Sequence, residues 1–278
     1  MTSIRLLLAG VAIATLPALV HALPREPAAM PETPAMQSVA HLGDFPVVEL
    51  RRYTVAPGQR TRFATWFDAY FPEAFEQLGA MVFGQFLERD DPGHFLWLRG
   101  YHDINARPIV NSAFYYGPLW KEHRTKVNAI LPDSDNVLLL QPLPGQSIPV
   151  LPAVDPVDEP QGADGIVIAQ LLPVVAGRET EIAADFVRYR VDGVRPAGVL
   201  ATLDVPNNFP QLPVREDGPW LVWLGIARDE EALRRLQAEM AAVGRELADG
   251  GGLRGTPETI VMDPSPRSRL RWLDGGPQ

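Results

Sequence analysis

An α+β fold of two tandem βαββαβ halves closing into one barrel is predicted by three observations. The run VVELRRYTVAPGQRTRFATWF, from Val47, aligns without a gap on IVIAQLLPVVAGRETEIAADF, from Ile166, with Gly58 on Gly177 and Phe67 on Phe186. Each run passes from a strand pattern through a glycine turn into a helix pattern. The same order of elements then follows in both blocks, and the closing runs match again, LLLQPLP from Leu138 on IVMDPSP from Ile260. A half of this kind is a ferredoxin-like unit, whose helices cover one sheet face and leave the other bare. Two such units in one chain bury their bare faces on each other, giving an intramolecular dimeric α+β barrel.

The elements follow in order. After the first strand, Phe63, Trp66, Phe67, Tyr70, Phe71, Phe75 and Leu78 recur at three- and four-residue steps, one apolar helical face that Pro72 should bend. Val82 to Glu88 and Phe95 to Tyr101 flank the turn-rich RDDPGH and read as a hairpin. Asp103 is placed as an N-cap, a broken helical stretch runs to Ile130, and Val137 to Leu140 closes the half as an apolar strand. The second half gives strands at Ile166 to Leu172, Val199 to Leu203, Trp220 to Ile226 and Thr259 to Met262. Its helices end near Val194 and span Asp229 to Leu247.

Composition sets the context. MTSIRLLLAGVAIATLPALVHA has one basic residue, an apolar run too short for the roughly 20 residues that cross a bilayer, and small residues at its end. It reads as a secretory signal cleaved after Ala22, which predicts a periplasmic or secreted protein without a membrane span. Cysteine is absent, which excludes disulfides, thiolate chemistry and a lipid-modified N-terminus. The net charge is −9, Lys121 and Lys126 are the only lysines, and no basic cluster occurs, so nucleic acid is not expected as a partner. Proline-rich runs at 23–44 and 144–164 read as tether and linker, leaving halves at 45–143 and 165–266 and a tail at 267–278. Internal pairing of the two halves predicts a monomer.

The opening VVELRRYTVAPGQ, the strand FLWLRGYHD and the stretch FYYGPLWKEHRTKVNAIL with the following SDNVLLLQPL resemble the NIPSNAP family, whose members share the dimeric α+β barrel. The resemblance covers the first half; the second matches in element order and in its glycine turn. It implies a fold more firmly than a reaction. Related barrels include cofactor-independent monooxygenases, haem-handling enzymes and isomerases, so the resemblance selects no chemistry.

Strand alternation supplies the candidate site. Val48, Leu50, Leu96, Leu98 and Gly100 suit the helix-packed face, which turns Glu49, Arg51, Tyr53, Trp97, Arg99 and Tyr101 into the barrel lumen, with Gln85 beside them. Two arginines and a carboxylate on a covered face form either an ion network that docks the halves or a pocket for a small anionic or aromatic molecule. The aligned Ile168, Gln170 and Leu172 carry no charge, so the first half owns the site and the second serves as scaffold.

Gly117 and Pro118 start a helix on which Trp120, His123, Val127 and Ile130 share a face. That face is core, or else His123 serves as a general base or haem ligand at the barrel mouth. No metal-ligand spacing, phosphate loop or serine-hydrolase elbow occurs, and no cofactor is implied. Three functions remain open: a small-molecule binding protein, a cofactor-independent monooxygenase or isomerase, and a structural module with a filled barrel.

Overall fold

The computed structural model describes residues 41–144, 151–186 and 189–273, with the backbone alone at 185–186. The expected signal segment, 1–22, and most of the proline-rich segment after it lie outside the described residues. Among the described residues there are eight strands: β1 Val47–Thr54, β2 Ala80–Glu88, β3 His94–Tyr101, β4 Asp133–Pro142, β5 Ile166–Pro173, β6 Val194–Thr202, β7 Trp220–Ala227 and β8 Glu258–Pro264. The helices are α1 Arg60–Gln77, α2 Ala106–Tyr115, α3 Pro118–Asn128, α4 Glu179–Phe186 and α5 Glu230–Asp249.

The strands close a barrel in the order β1-β3-β2-β8-β5-β7-β6-β4. Read by half, that is β4-β1-β3-β2 joined to β8-β5-β7-β6, the same internal order twice. Two short antiparallel seams join them: Phe86 to Glu88 on Met262 to Pro264, and Leu140 to Pro142 on Leu200 to Thr202. Gly58 and Gly177 take φ of +74° and +86° in the turns after β1 and β5, a conformation that side-chain-bearing residues rarely adopt. Asp229 caps α5 by accepting from the N–H groups of Glu231 and Ala232, while Asp103 does the same for Asn105 and Ala106 at the entry to α2.

Two strands begin earlier than the apolar pattern predicts. β4 starts at Asp133, where exposed side chains on a backbone paired with β1 erase the hydrophobic alternation. β6 starts at Val194 and carries Pro196, which lacks an N–H to donate, next to a shift in register against β7. Residues 151–164 and 267–273, expected as linker and tail, lie against the barrel and each other. Leu270 N–H donates to Phe83 O and Trp272 N–H to Asp164 O, and Arg271 pairs with Glu159.

The lumen is filled. Val48, Leu50, Leu98 and Leu140 from the first half meet Val167, Leu171, Val222, Leu224 and Met262 from the second in one apolar cluster. A separate cluster packs each sheet's other face under its own helices. Leu98 is 1% exposed and looks into the lumen. Leu98→Ala is therefore expected to lower stability by about 2–5 kcal/mol in urea denaturation while leaving any ligand affinity of the helix-side face unchanged.

Candidate functional site

Period-two alternation puts Glu49, Arg51 and Tyr53 on one face of β1, and Trp97, Arg99 and Tyr101 on the same face of the neighbouring β3. The register sets Glu49 opposite Arg99 and Arg51 opposite Trp97. The six residues come together as expected, but on the face opposite to the one predicted. They lie beneath α1, α2 and α3, among Phe63, Phe67, Phe75 and Phe114, and the lumen takes the aliphatic positions instead. The physical reason is the partner surface. The facing sheet of the second half meets the lumen with a large apolar cluster, whereas the helices bring aromatic rings and a further cation.

That cation is Arg107, in the first turn of α2. Glu49, Arg99 and Arg107 are 0% exposed and Arg51 1%. Glu49 Oε2 accepts from Arg51 Nη1 at 2.9 Å and from Arg99 Nε at 2.7 Å, while Oε1 accepts from Arg107 Nε at 2.6 Å. Arg99 stacks between rings, its Cζ 4.7 Å from the centroid of Phe75 and 4.8 Å from that of Trp97. Burial pushes the Glu49 carboxyl up, but Arg99, Arg51 and Arg107 together outweigh it and hold the group well below the usual carboxylate range. Burial pushes the Tyr101 hydroxyl far up, and it donates to Asn111 Oδ1 at 3.0 Å.

The balance is uneven: three guanidiniums surround one carboxylate. Trp97 Nε1, Arg99 Nη1, Arg107 Nη2 and Asn111 Nδ2 are buried without a hydrogen-bond partner. Arg51 donates from Nε to Tyr53 Oη at 2.9 Å and from Nη1 to Glu49, which leaves Nη2 uncommitted.

Arg51 stands in the wall of a cavity of about 370 Å³ between the sheet and α1–α3. Its apolar walls are mainly aromatic, including Tyr53, Phe67, Trp97, Phe114, Tyr115 and Trp120, and Lys121, Arg124 and Gln211 are also among its lining residues. The FYYGPLW stretch thus forms a wall of the site. Beside the cavity the α2–α3 connection breaks at Gly117, where a Cβ would sit 2.5 Å from the Ala113 carbonyl oxygen.

Two predicted residues fall elsewhere. His123 sits one step outside the arc of α3 that faces the cavity and packs on the rings of Trp66 and Tyr70 instead. Gln85 donates to Asp68 Oδ1 at 2.7 Å, an oxygen it shares with the Ser265 hydroxyl. Arg107 was not predicted, although Arg107, Val110, Asn111 and Phe114 repeat at helical spacing on the buried side of α2. Nothing in local sequence points to Phe209, Gln211 and Leu212, which reach the cavity from the second half. In that half Gln170, at the position of Arg51, lines a separate groove beside α5.

No protein-family model matches the chain, and no curated protein does. Solved structures do. An anthrone oxidase-like protein aligns over 86% of this chain and 99% of its own, at 16% identity and a TM-score of 0.53. A candidate monooxygenase of Fusobacterium nucleatum aligns over 84% and 99%, at 12% identity and a TM-score of 0.54. These likenesses establish the fold, a dimeric α+β barrel within one chain. Over a shorter span, 40% of this chain and 97% of the other, a NIPSNAP-like domain protein of Burkholderia xenovorans is similar at 24% identity and a TM-score of 0.34.

Glu49→Gln is expected to destabilise the ligand-free protein at neutral pH by about 3–5 kcal/mol, since three buried cations lose their counter-charge. The sign of the pH dependence follows from the lowered carboxyl. A depressed folded pKa stabilises above the unfolded value of about 4.3 and loses that contribution as pH falls. The stability gap between parent and variant should accordingly narrow below about pH 4, as read by chemical denaturation across pH.

Proposed function

We propose that the chain is an exported, NIPSNAP-like binding protein whose first-half cavity takes a small, flat apolar molecule with an anionic head group, seated on Arg51. The observation that carries this reading is the cavity's charge. Arg51, Lys121 and Arg124 line it, and none of its described lining residues is a carboxylate, although the whole chain has a net charge of −9. Aromatic walls suit a planar body, and the volume falls within the roughly 300–1,000 Å³ of small-molecule sites. Arg51 Nη2, held in place by the bonds on Nε and Nη1, offers a charge-assisted donor at fixed geometry.

The alternative is a cofactor-independent monooxygenase or isomerase; two fold neighbours are named as a candidate monooxygenase and an anthrone oxidase-like protein. Proton abstraction would need a base in the cavity. The described lining contains neither a carboxylate nor an imidazole, and burial with the neighbouring Tyr53 pushes the Tyr115 hydroxyl up to about 12, so it stays protonated at neutral pH. Binding is the better supported of the two.

Isothermal titration and thermal shift with benzoate, 2-naphthoate and indole-3-acetate, beside their neutral carboxamides, test the proposal. The acids should bind more tightly than the amides. Arg51→Ala should weaken acid binding about tenfold to hundredfold, the value of roughly 1.5–3 kcal/mol for a charge-assisted bond, and Gln170→Ala should leave it unchanged. Equal binding of acid and amide, or an Arg51→Ala variant that binds as the parent does, would sink the proposal.

A further inference from the structure

The loop from Leu203 to Pro219 belongs to the second half but runs along the first. Leu203 N–H donates to Leu139 O and Arg215 N–H to Val137 O, both in β4. Phe209, 5% exposed, inserts at the cavity, and Gln211 and Leu212 complete that wall. Immediately before them, Asn207 and Asn208 meet the ion cluster. Arg107 Nη1 donates to Asn207 Oδ1 at 2.9 Å and to Asn208 Oδ1 at 3.1 Å. Each amide is fixed from its other end, Asn207 Nδ2 on Leu212 O and Asn208 Nδ2 on Ile104 O.

We infer that Asn207 and Asn208 are specificity-determining residues: by meeting Arg107 with neutral amides, the second half keeps the Glu49 cluster short of negative charge and so makes the cavity select an anion. This rests on the reading of the cavity as an anion site. Two acceptor oxygens satisfy Arg107 Nη1 without neutralising it. A carboxylate in their place would find Nη1 and the unpartnered Nη2 side by side, the geometry of a bidentate ion pair. It would cancel one of the positive charges in excess, and the field at Arg51 would fall with it. The second half therefore takes part in the site through its loop, beyond the scaffold role that its own uncharged sheet suggests.

The test compares the affinities of 2-naphthoate and 2-naphthamide in the parent, in Asn207→Asp and in Asn207→Ala. The ratio of the two affinities is the readout, because a loosened loop weakens both ligands alike and leaves it unmoved. Asn207→Asp should cut the acid-to-amide ratio by on the order of tenfold, the scale of one added charge acting across the cluster at intermediate dielectric. Asn207→Ala, which removes the bonds without adding charge, should keep the parent's ratio. Asn208→Asp provides the same charge at the same Arg107 nitrogen if the first variant does not fold. A parent that prefers the acid together with Asp variants that keep its ratio overturns this inference and leaves the anion site standing; a parent without preference overturns both.

Discussion

One buried carboxylate organises the first half. Glu49 receives guanidiniums from its own strand, from β3 and from α2, so the sheet and the helix above it are tied through a single side chain. Taking four charged groups out of water costs several kcal/mol each, and the arrangement holds only because geometry and secondary contacts offset that cost. Short bonds to both oxygens supply part of the offset. Aromatic faces supply another part: Arg99 lies over Phe75, Trp97 and Tyr101 and Arg51 over Tyr53 and Trp97. These rings come chiefly from β1 and β3, the strands that carry the cations, and α1 adds Phe75 from above.

The same constraint explains why the two halves differ under one topology. In the second half Ile168 and Leu172 replace Glu49 and Tyr53 and pack with Leu233, Leu236 and Met240 of α5, a helix that runs unbroken from Glu230 to Asp249. With no buried charge on the sheet, an ordinary apolar stripe suffices. In the first half the corresponding cover is split into α2 and α3 at Gly117. The split leaves room for a cavity over Arg51, and the loop before β7 closes its side. Both halves present the lumen with apolar side chains, since that face must match its counterpart.

Much of this is legible in the sequence, and its limits have physical causes. The tandem order follows from glycine turns and apolar periods, which are local. Alternation correctly groups Glu49, Arg51, Tyr53, Trp97, Arg99 and Tyr101, but it gives parity and not side. When both faces of a sheet are buried, nothing within the strand says which one meets helices. For His123 the spacing leaves core and barrel mouth both open, and the side chain takes the core alternative against Trp66 and Tyr70, because one step of helical phase turns a side chain from cavity to neighbour helix. Arg107 shares a helical spacing with Val110, Asn111 and Phe114, but an arginine in a helix is ordinarily exposed, so spacing alone does not mark it as buried. Asn207 and Asn208 were beyond reach, since the contact joins positions a hundred residues apart along the chain.

The stoichiometry of the cluster bears on what it is for. A network that served only to fasten sheet to helix would be most stable with its charges balanced, because each surplus buried charge adds desolvation cost with no attraction to offset it. Here three guanidiniums share one carboxylate. Two neutral asparagines stand where acidic side chains would have balanced them, and cations without acids line the adjoining cavity. That excess lowers the stability of the empty protein, and on the reading proposed above an arriving anion would offset it. On that reading the deficit of negative charge inside an acidic chain is affinity held in reserve, and not a fastening left incomplete.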